Sequence, residues 1–186
     1  MSMKMNSTFK RGKIILILSC MFAGKTETLI THARRHILAK KKIILIKYAN
    51  DTRYTVDEIC SHNRNSIKAT FACKELKEVC EKQEVKDSDV ILIDEVQFFN
   101  DAPEVCDKLA NNGKIVVAAG LNGNYLREEF PVISRLIPLS EEFISLNAIC
   151  SVCGETAYFT KRIVIGNEIE LIGGTESYQP RCRLCF

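Results

Sequence analysis

No apolar run in the 186-residue chain approaches the roughly 20 residues that a membrane-spanning helix requires. The short run Lys13 to Leu18 leads into Ser19-Cys20-Met21-Phe22-Ala23-Gly24, which lacks the small-residue cleavage site of a secretory leader, so an intracellular, cytoplasmic protein is expected. Internal repeats and low-complexity segments are absent too. Charge of one sign is scarce: 26 Lys and Arg stand against 23 Asp and Glu, a formal net of +3. That balance does not call for nucleic acid as a partner, although it leaves room for a local positive pocket around a phosphate. Hydrophobic residues make up 46% and charged residues 26% of the chain, which suits one globular domain with a small appendage.

Cysteine, in contrast, is plentiful, with nine in the chain. Cys20, Cys60, Cys73, Cys80 and Cys106 are scattered, mostly within apolar or helical patterns, and are expected to act as small hydrophobes. Cys150 and Cys153 form one C-x-x-C pair and Cys182 and Cys185 another, with 28 residues between them. This is the spacing of a tetrahedral Zn²⁺ site with four thiolate ligands. With all four positions taken by protein, such a site is closed and structural.

The first 140 or so residues alternate strand and helix patterns. Lys13 to Leu18, Ile43 to Ile46, Val90 to Ile93 and Ile115 to Ala119 are short aliphatic runs of the kind buried on both faces of a parallel sheet. Between them, Thr26 to Lys40 places Leu29, Ile30, Ala33, Ile37 and Leu38 at helical spacing. Leu76, Val79 and Cys80 mark a short helix, and Ala102, Val105, Cys106 and Leu109 line another that Asn111-Asn112-Gly113 stops. The polar stretch Asn50 to Ser66 reads as a long loop. Strands separated by helices predict a parallel α/β sheet with helices on both faces. Beyond Pro138 the texture changes. The boundary falls between Ser140 and Leu146, dividing the chain into 1–142 and 143–186. Tyr158-Phe159-Thr160, Ile163-Val164-Ile165, Gly166-Asn167, Glu168 to Ile172 and Gly173-Gly174 carry a hairpin signal bracketed by the cysteine pairs, with a long loop returning to the second pair.

Ser19 to Thr26 follows a strand and opens a helix, the setting that the phosphate-binding motif G-x-x-x-x-G-K-[ST] requires. Loop amides would point at phosphate oxygens, Lys25 would reach the β/γ region, and Thr26 would offer its hydroxyl to Mg²⁺. Ser19 stands where the motif normally has glycine; if that position needs φ > 0, serine costs about 1–2 kcal/mol. Asp94 and Glu95 end the third strand, at the sheet edge where ligands bind. An aspartate there can hold Mg²⁺. A glutamate beside it can take a proton from a water, which makes an ATPase, or from a sugar hydroxyl, which makes a kinase. A nucleic-acid-binding ribbon would need a basic stripe, but Lys161, Arg162, Arg181 and Arg183 are offset by glutamates.

From Gly12 onward the chain resembles the cytosolic-type, zinc-containing thymidine kinases. The resemblance is carried by Met21 to Thr26, Ile46-Lys47-Tyr48, Asp51-Thr52-Arg53-Tyr54, Asp94-Glu95-Val96-Gln97-Phe98-Phe99 and Ala118-Ala119-Gly120-Leu121-Asn122-Gly123. It continues through Thr160-Lys161-Arg162, Ile172-Gly173-Gly174, and Tyr178 shortly before Cys182-Arg183-Leu184-Cys185. The resemblance implies a P-loop, RecA-like sheet with a small zinc ribbon and lasso, and transfer of phosphate from ATP to the thymidine 5′-hydroxyl. It implies Glu95 as general base, with Lys25 and Arg53 stabilising transferring charge. The ATP and Mg²⁺ site would draw on Ser19, Cys20, Met21, Phe22, Ala23, Gly24, Lys25, Thr26, Asp51, Asp94 and Gln97. The nucleoside pocket would draw on Met21, Phe98, Leu121, Tyr125, Phe130, Thr160 and Tyr178, with lasso main chain from Ile169, Glu170, Leu171, Ile172 and Gly173. A homotetramer without nucleic-acid or membrane partners is expected. Ser19 and Cys20 replace the family's usual Gly-Pro, Val96 a small residue, Tyr125 a phenylalanine and Asn63 an aspartate.

Overall fold

The computed structural model describes residues 11–51, 58–60, 66–166 and 171–186, and of Glu58 and Cys60 the backbone alone. In chain order the elements are β1 (Lys13–Ser19), α1 (Lys25–Leu38), β2 (Ile43–Tyr48), β3 (Glu58–Cys60), β4 (Ser66–Lys68), β5 (Phe71–Cys73), α2 (Lys77–Cys80), α3 (Gln83–Lys86) and β6 (Val90–Ile93). They continue with α4 (Ala102–Asn111), β7 (Ile115–Leu121), α5 (Pro131–Leu136), β8 (Glu142–Ser145), β9 (Ala148–Ile149), β10 (Thr156–Ala157), β11 (Phe159–Arg162) and β12 (Tyr178–Arg181). Among these described residues no helix is long and apolar enough to cross a membrane.

Six strands form one sheet in the order β5-β2-β6-β7-β1-β8, and every neighbouring pair is parallel. Period-2 alternation lets this one sheet carry two cores. Ile14 and Leu16 of β1, Ile91 and Ile93 of β6, and Val116 and Ala118 of β7 face one side, packed with Cys106 of α4 and Leu136 of α5. Ile15 and Ile17, Val90 and Leu92, and Val117 and Ala119 face the other, packed with Leu29 and Ala33 of α1. Helices therefore cover both faces, as the aliphatic runs predict. Each leucine or isoleucine so buried contributes about 1.5–3 kcal/mol, which is why strands with no polar face are stable here. The helical spacing in α1 ends before its last turn, where Leu38 is exposed.

The structure departs from the sequence expectations at two places. Within the expected loop Asn50 to Ser66, β3 lies antiparallel to β4, with Ile59 opposite Ile67. Ile59 is buried beside Leu29, and a strand with one core residue leaves no periodicity to read. A three-residue strand, β5, extends the sheet beyond β2 and is too short for a pattern. The hairpin expected over Ile163 to Ile172 runs through residues 167–170, which lie outside the described residues; before it, β11 pairs with β12, Phe159 opposite Arg181. Ile163, Val164 and Ile165 are exposed. The two cysteine pairs bring distant chain ends together, so the partner strand comes from just before Cys182 and not from the local turn. β8 pairs with β1 across the expected division at residues 142 and 143.

Candidate active site

β1 ends at Ser19 and the chain turns sharply into α1. Phe22 and Gly24 take positive φ, 66° and 84°, and Ser19 does not. The serine in the motif's first position is therefore unstrained, while glycine occupies the left-handed turn at the α1 N-terminus, where a Cβ would cost about 1–2 kcal/mol. No side chain caps that helix end. Its orphan amides suit an anion. Lys25 is only 9% exposed and donates from Nζ to the Cys20 carbonyl at 2.8 Å. The Met21 amide donates to Thr160 Oγ1 at 3.0 Å, tying the phosphate loop to β11. Thr26 Oγ1 lies 3.4 Å from Asp94 Oδ2, so the two expected Mg²⁺ ligands meet across the loop.

Asp94 and Glu95 part company because of backbone geometry. Asp94 is buried, its amide held by the Ile46 carbonyl of β2 at 3.0 Å. Glu95 adopts φ 53° and ψ 44°, which turns β6 into a 3₁₀ turn over Val96–Phe98 and aims the second carboxylate elsewhere. Strain of this kind in a non-glycine residue is characteristic of functional sites. Gln97 Nε2 donates to Glu95 Oε2 at 2.7 Å, and Gln97 Oε1 accepts from the Leu121 amide at 3.1 Å. Both ends of that buried amide are thus engaged within the protein, spanning from the acid to the end of β7. The bridge needs Gly120, where a Cβ would sit 2.9 Å from both Gln97 Oε1 and Val96 Cγ1. Val96 itself is fully buried in the core, which absorbs the bulk that stands in place of a small residue.

Two further groupings involve expected pocket residues. Phe98 stacks with Tyr48 at 5.2 Å and meets Phe130 edge-on at 6.3 Å. On the β11–β12 side, Arg162 lies 3.9 Å over the Tyr125 ring, donates to Tyr178 Oη at 2.8 Å, and Tyr178 Oη donates to the Leu171 carbonyl at 2.8 Å. Gly173 is buried and Ile172 half-buried nearby in sequence, as is Asp51, whose amide bonds the Tyr48 carbonyl at 3.1 Å. Arg53, Ile169 and Glu170 lie outside the described residues. Arg162 is the participant that sequence reasoning passed over. Its signal was period 2: in β11, Thr160 and Arg162 share the buried face while Lys161 does not.

The Sγ atoms of Cys150, Cys153, Cys182 and Cys185 all lie within 4.8 Å of one another, the one such cluster among the described residues. The Cys153–Cys182 separation is 3.7 Å, far beyond the roughly 2.05 Å of a disulfide. It matches the edge of about 3.8 Å that a tetrahedron with Zn–S near 2.3 Å must have. The four side chains therefore fit Zn²⁺. Cys150 and Cys182 pack with Ala148, Ala157 and Cys20, and Ala23 joins from the phosphate loop. Cys20 thus wedges the loop against the cysteine knuckles; burial pushes its thiol up, leaving an apolar filler with a weak bond to the Ala157 carbonyl. Cys73 and Cys106 are likewise buried, and desolvation raises the Cys73 thiol to about 12.

Residues 12–186 match the protein-family profile described as thymidine kinase. The chain is 44% identical over 176 residues to the cytosolic thymidine kinase of Gallus gallus, covering 95% of this chain and 77% of that protein. Identity is again 44% over 176 residues with the cytosolic thymidine kinase of Homo sapiens, covering 95% and 74%. With the thymidine kinase of Raccoon poxvirus it is 45% over 175 residues, covering 94% and 97%.

Proposed function

The chain belongs to the thymidine kinase family, and from that premise we propose how its residues divide the work of phosphorylating the thymidine 5′-hydroxyl with ATP to give dTMP. One observation carries the assignment: adjacent acids at the end of β6 face different partners, Asp94 the phosphate-loop Thr26 and Glu95 the Gln97 bridge. Two neighbouring carboxylates with separate partners suit separate jobs.

Loop amides from Ser19 to Gly24 and the α1 N-terminus receive the ATP phosphates, with Lys25 leaving the Cys20 carbonyl for the β/γ oxygens. Asp51 belongs to the same ATP side. Thr26 and Asp94 would hold Mg²⁺, which supplies charge neutralisation at the β/γ oxygens when bound. Glu95, oriented by Gln97, accepts the proton of the 5′-hydroxyl as its oxygen bonds to the γ-phosphorus and the bond to the β–γ bridging oxygen breaks, releasing ADP. Gln97, expected on the ATP side, would also hold the general base Glu95 in place through its side-chain amide. Arg53 adds positive charge to the transferring group. Met21, Leu121, Tyr125, Thr160 and Tyr178, with Phe98 and Phe130, supply aromatic faces and an apolar niche for the base. Main chain near Ile169 to Gly173 meets the base edge. The cysteine-held segment, 143–186, closes over the nucleoside and keeps water from the phosphate held by 1–142. Zn²⁺ at the four cysteines is structural. The assembly is a homotetramer, and the cytosolic setting in the names of the chicken and human relatives supports that compartment here.

Monophosphate formation from Mg·ATP and each nucleoside in turn tests the reading. Thymidine is expected to turn over fastest; turnover no faster than with deoxycytidine or the purine nucleosides would overturn it.

A further inference from the structure

Arg162 is a buried charged group to which the proposed roles assign nothing. It ends β11 at 7% exposure, its guanidinium carbon 3.9 Å from the centre of the Tyr125 ring and 5.4 Å from that of Tyr178. A guanidinium withdrawn from water is tolerable where ring faces and acceptors replace its hydration. Two aromatic faces do so here, together with Tyr178 Oη at 2.8 Å and the Gly166 carbonyl at 3.4 Å. Tyr178 passes the connection on to the Leu171 carbonyl at 2.8 Å. Nε of Arg162 is buried with no hydrogen-bond partner among the described residues.

The sequence positions of these acceptors matter. Gly166 precedes and Leu171 follows the stretch 167–170, so one cation grips both limbs of the loop that leaves β11 and returns to β12. The floor beneath it is Tyr125, from the segment after β7, and the roof is Tyr178. Arginine suits this duty better than lysine, because a planar fork can stack on a ring and donate in two directions at once. Tyr125, in the position where a phenylalanine is usual, keeps the ring face that the stack needs.

We propose that Arg162 is a positioning residue for nucleoside binding: with Tyr178 as relay, it pins both limbs of the loop between Ile163 and Gly174 onto the Tyr125 face. The proposal rests on the thymidine kinase reading only in assigning the nucleoside to the space beneath that loop.

Steady-state kinetics and amide hydrogen exchange on the zinc-loaded, full-length protein test it, with Arg162→Met, Arg162→Lys and Tyr178→Phe. Arg162→Met should raise the thymidine KM about 10-fold or more, the scale of losing charge-assisted bonds, while the ATP KM stays within about twofold. Arg162→Lys should recover part of the loss, since it keeps the charge but not the fork. Tyr178→Phe keeps the ring and removes the relay; a thymidine KM raised about 3- to 10-fold is expected. Exchange should quicken at 163–166 and 171–174 in Arg162→Met and Tyr178→Phe. A thymidine KM and loop exchange unchanged in Tyr178→Phe overturn the proposal, even if Arg162→Met does not fold. An ATP KM rising in step with the thymidine KM overturns it too. Should the wild-type protein fail to phosphorylate thymidine, the proposed function falls, and the exchange comparison still decides the pin.

Discussion

The sheet and the cysteine-bound region solve the same problem of holding a short chain together, but with different materials. The sheet buries aliphatic layers on both faces, Ile14, Leu16, Ile91 and Ile93 on one and Ile15, Ile17, Leu29 and Leu92 on the other. The region from Ala148 onward gathers a core of Ala148, Ala157, Cys150 and Cys182 around the borrowed side chain of Cys20. Its paired strands run to two residues in β9 and β10 and four in β11 and β12. Apolar burial on that scale is small against the conformational entropy of ordering the segment, and metal–thiolate bonds at the four cysteines would contribute the difference. The lesson is a division of labour. On the proposed reading, the hydrophobically stabilised sheet would fix the phosphate chemistry, while a metal at the four cysteines would fasten the region beside it.

The comparison can be broken first at the chemistry. Glu95→Gln should lower kcat by about 10²–10⁴-fold with ATP binding kept, measured by single-turnover phosphate transfer and nucleotide titration. Near-normal turnover would remove Glu95 from the mechanism and the chemistry from the sheet's edge. Next comes the sheet's own stability. Leu16→Ala, at a fully buried position, should cost about 2–5 kcal/mol in denaturant unfolding while metal content is unchanged. Loss of metal in parallel would show that the two regions are one cooperative unit.

Removing the metal makes the converse test. About one Zn per chain is expected by elemental analysis. Its loss in Cys150→Ser should weaken thymidine binding before ATP binding, read by calorimetry with each ligand. Equal weakening of both would mean that Cys20 and Ala23 transmit the damage into the phosphate loop, and that the division is not as clean as the packing suggests. The smallest effect belongs to pH. His32 and His36 on α1 sit below the ordinary histidine value, through desolvation first and then through Arg35 for His32 and Lys41 for His36. Below about pH 6.5 the unfolded chain therefore binds more protons than the folded one, and stability falls as pH drops through that value. His32→Gln should flatten part of that slope in unfolding midpoints between pH 7 and 5, while metal content at pH 7 is unaffected.

How far each part could be read in advance follows from the length scale of its signal. The buried strands of the sheet were legible because a run such as Val90 to Ile93 has no solvated face to interrupt it. The phosphate loop was legible because backbone cradling of phosphate demands glycine and lysine at fixed spacing. The cysteine site was legible because tetrahedral coordination demands paired thiols. Short strands such as β3 and β5 were not, since one buried residue carries no period. The β11–β12 pairing was not legible either, because the partner of Phe159–Arg162 lies beyond a long loop, beside the second cysteine pair.

Local chemistry needs particular groups at particular intervals, so sequence by itself determined the parallel α/β architecture, the phosphate loop, the acid pair and the four thiols. Tertiary structure alone decided how these groups are aimed. It sent Asp94 toward Thr26 and Glu95 toward Gln97 through one left-handed backbone turn, let Ser19 stand unstrained where glycine was expected, packed Cys20 against the cysteine knuckles and buried Arg162 between two tyrosines. Orientation depends on contacts between residues far apart in the chain, and no interval along the sequence encodes them.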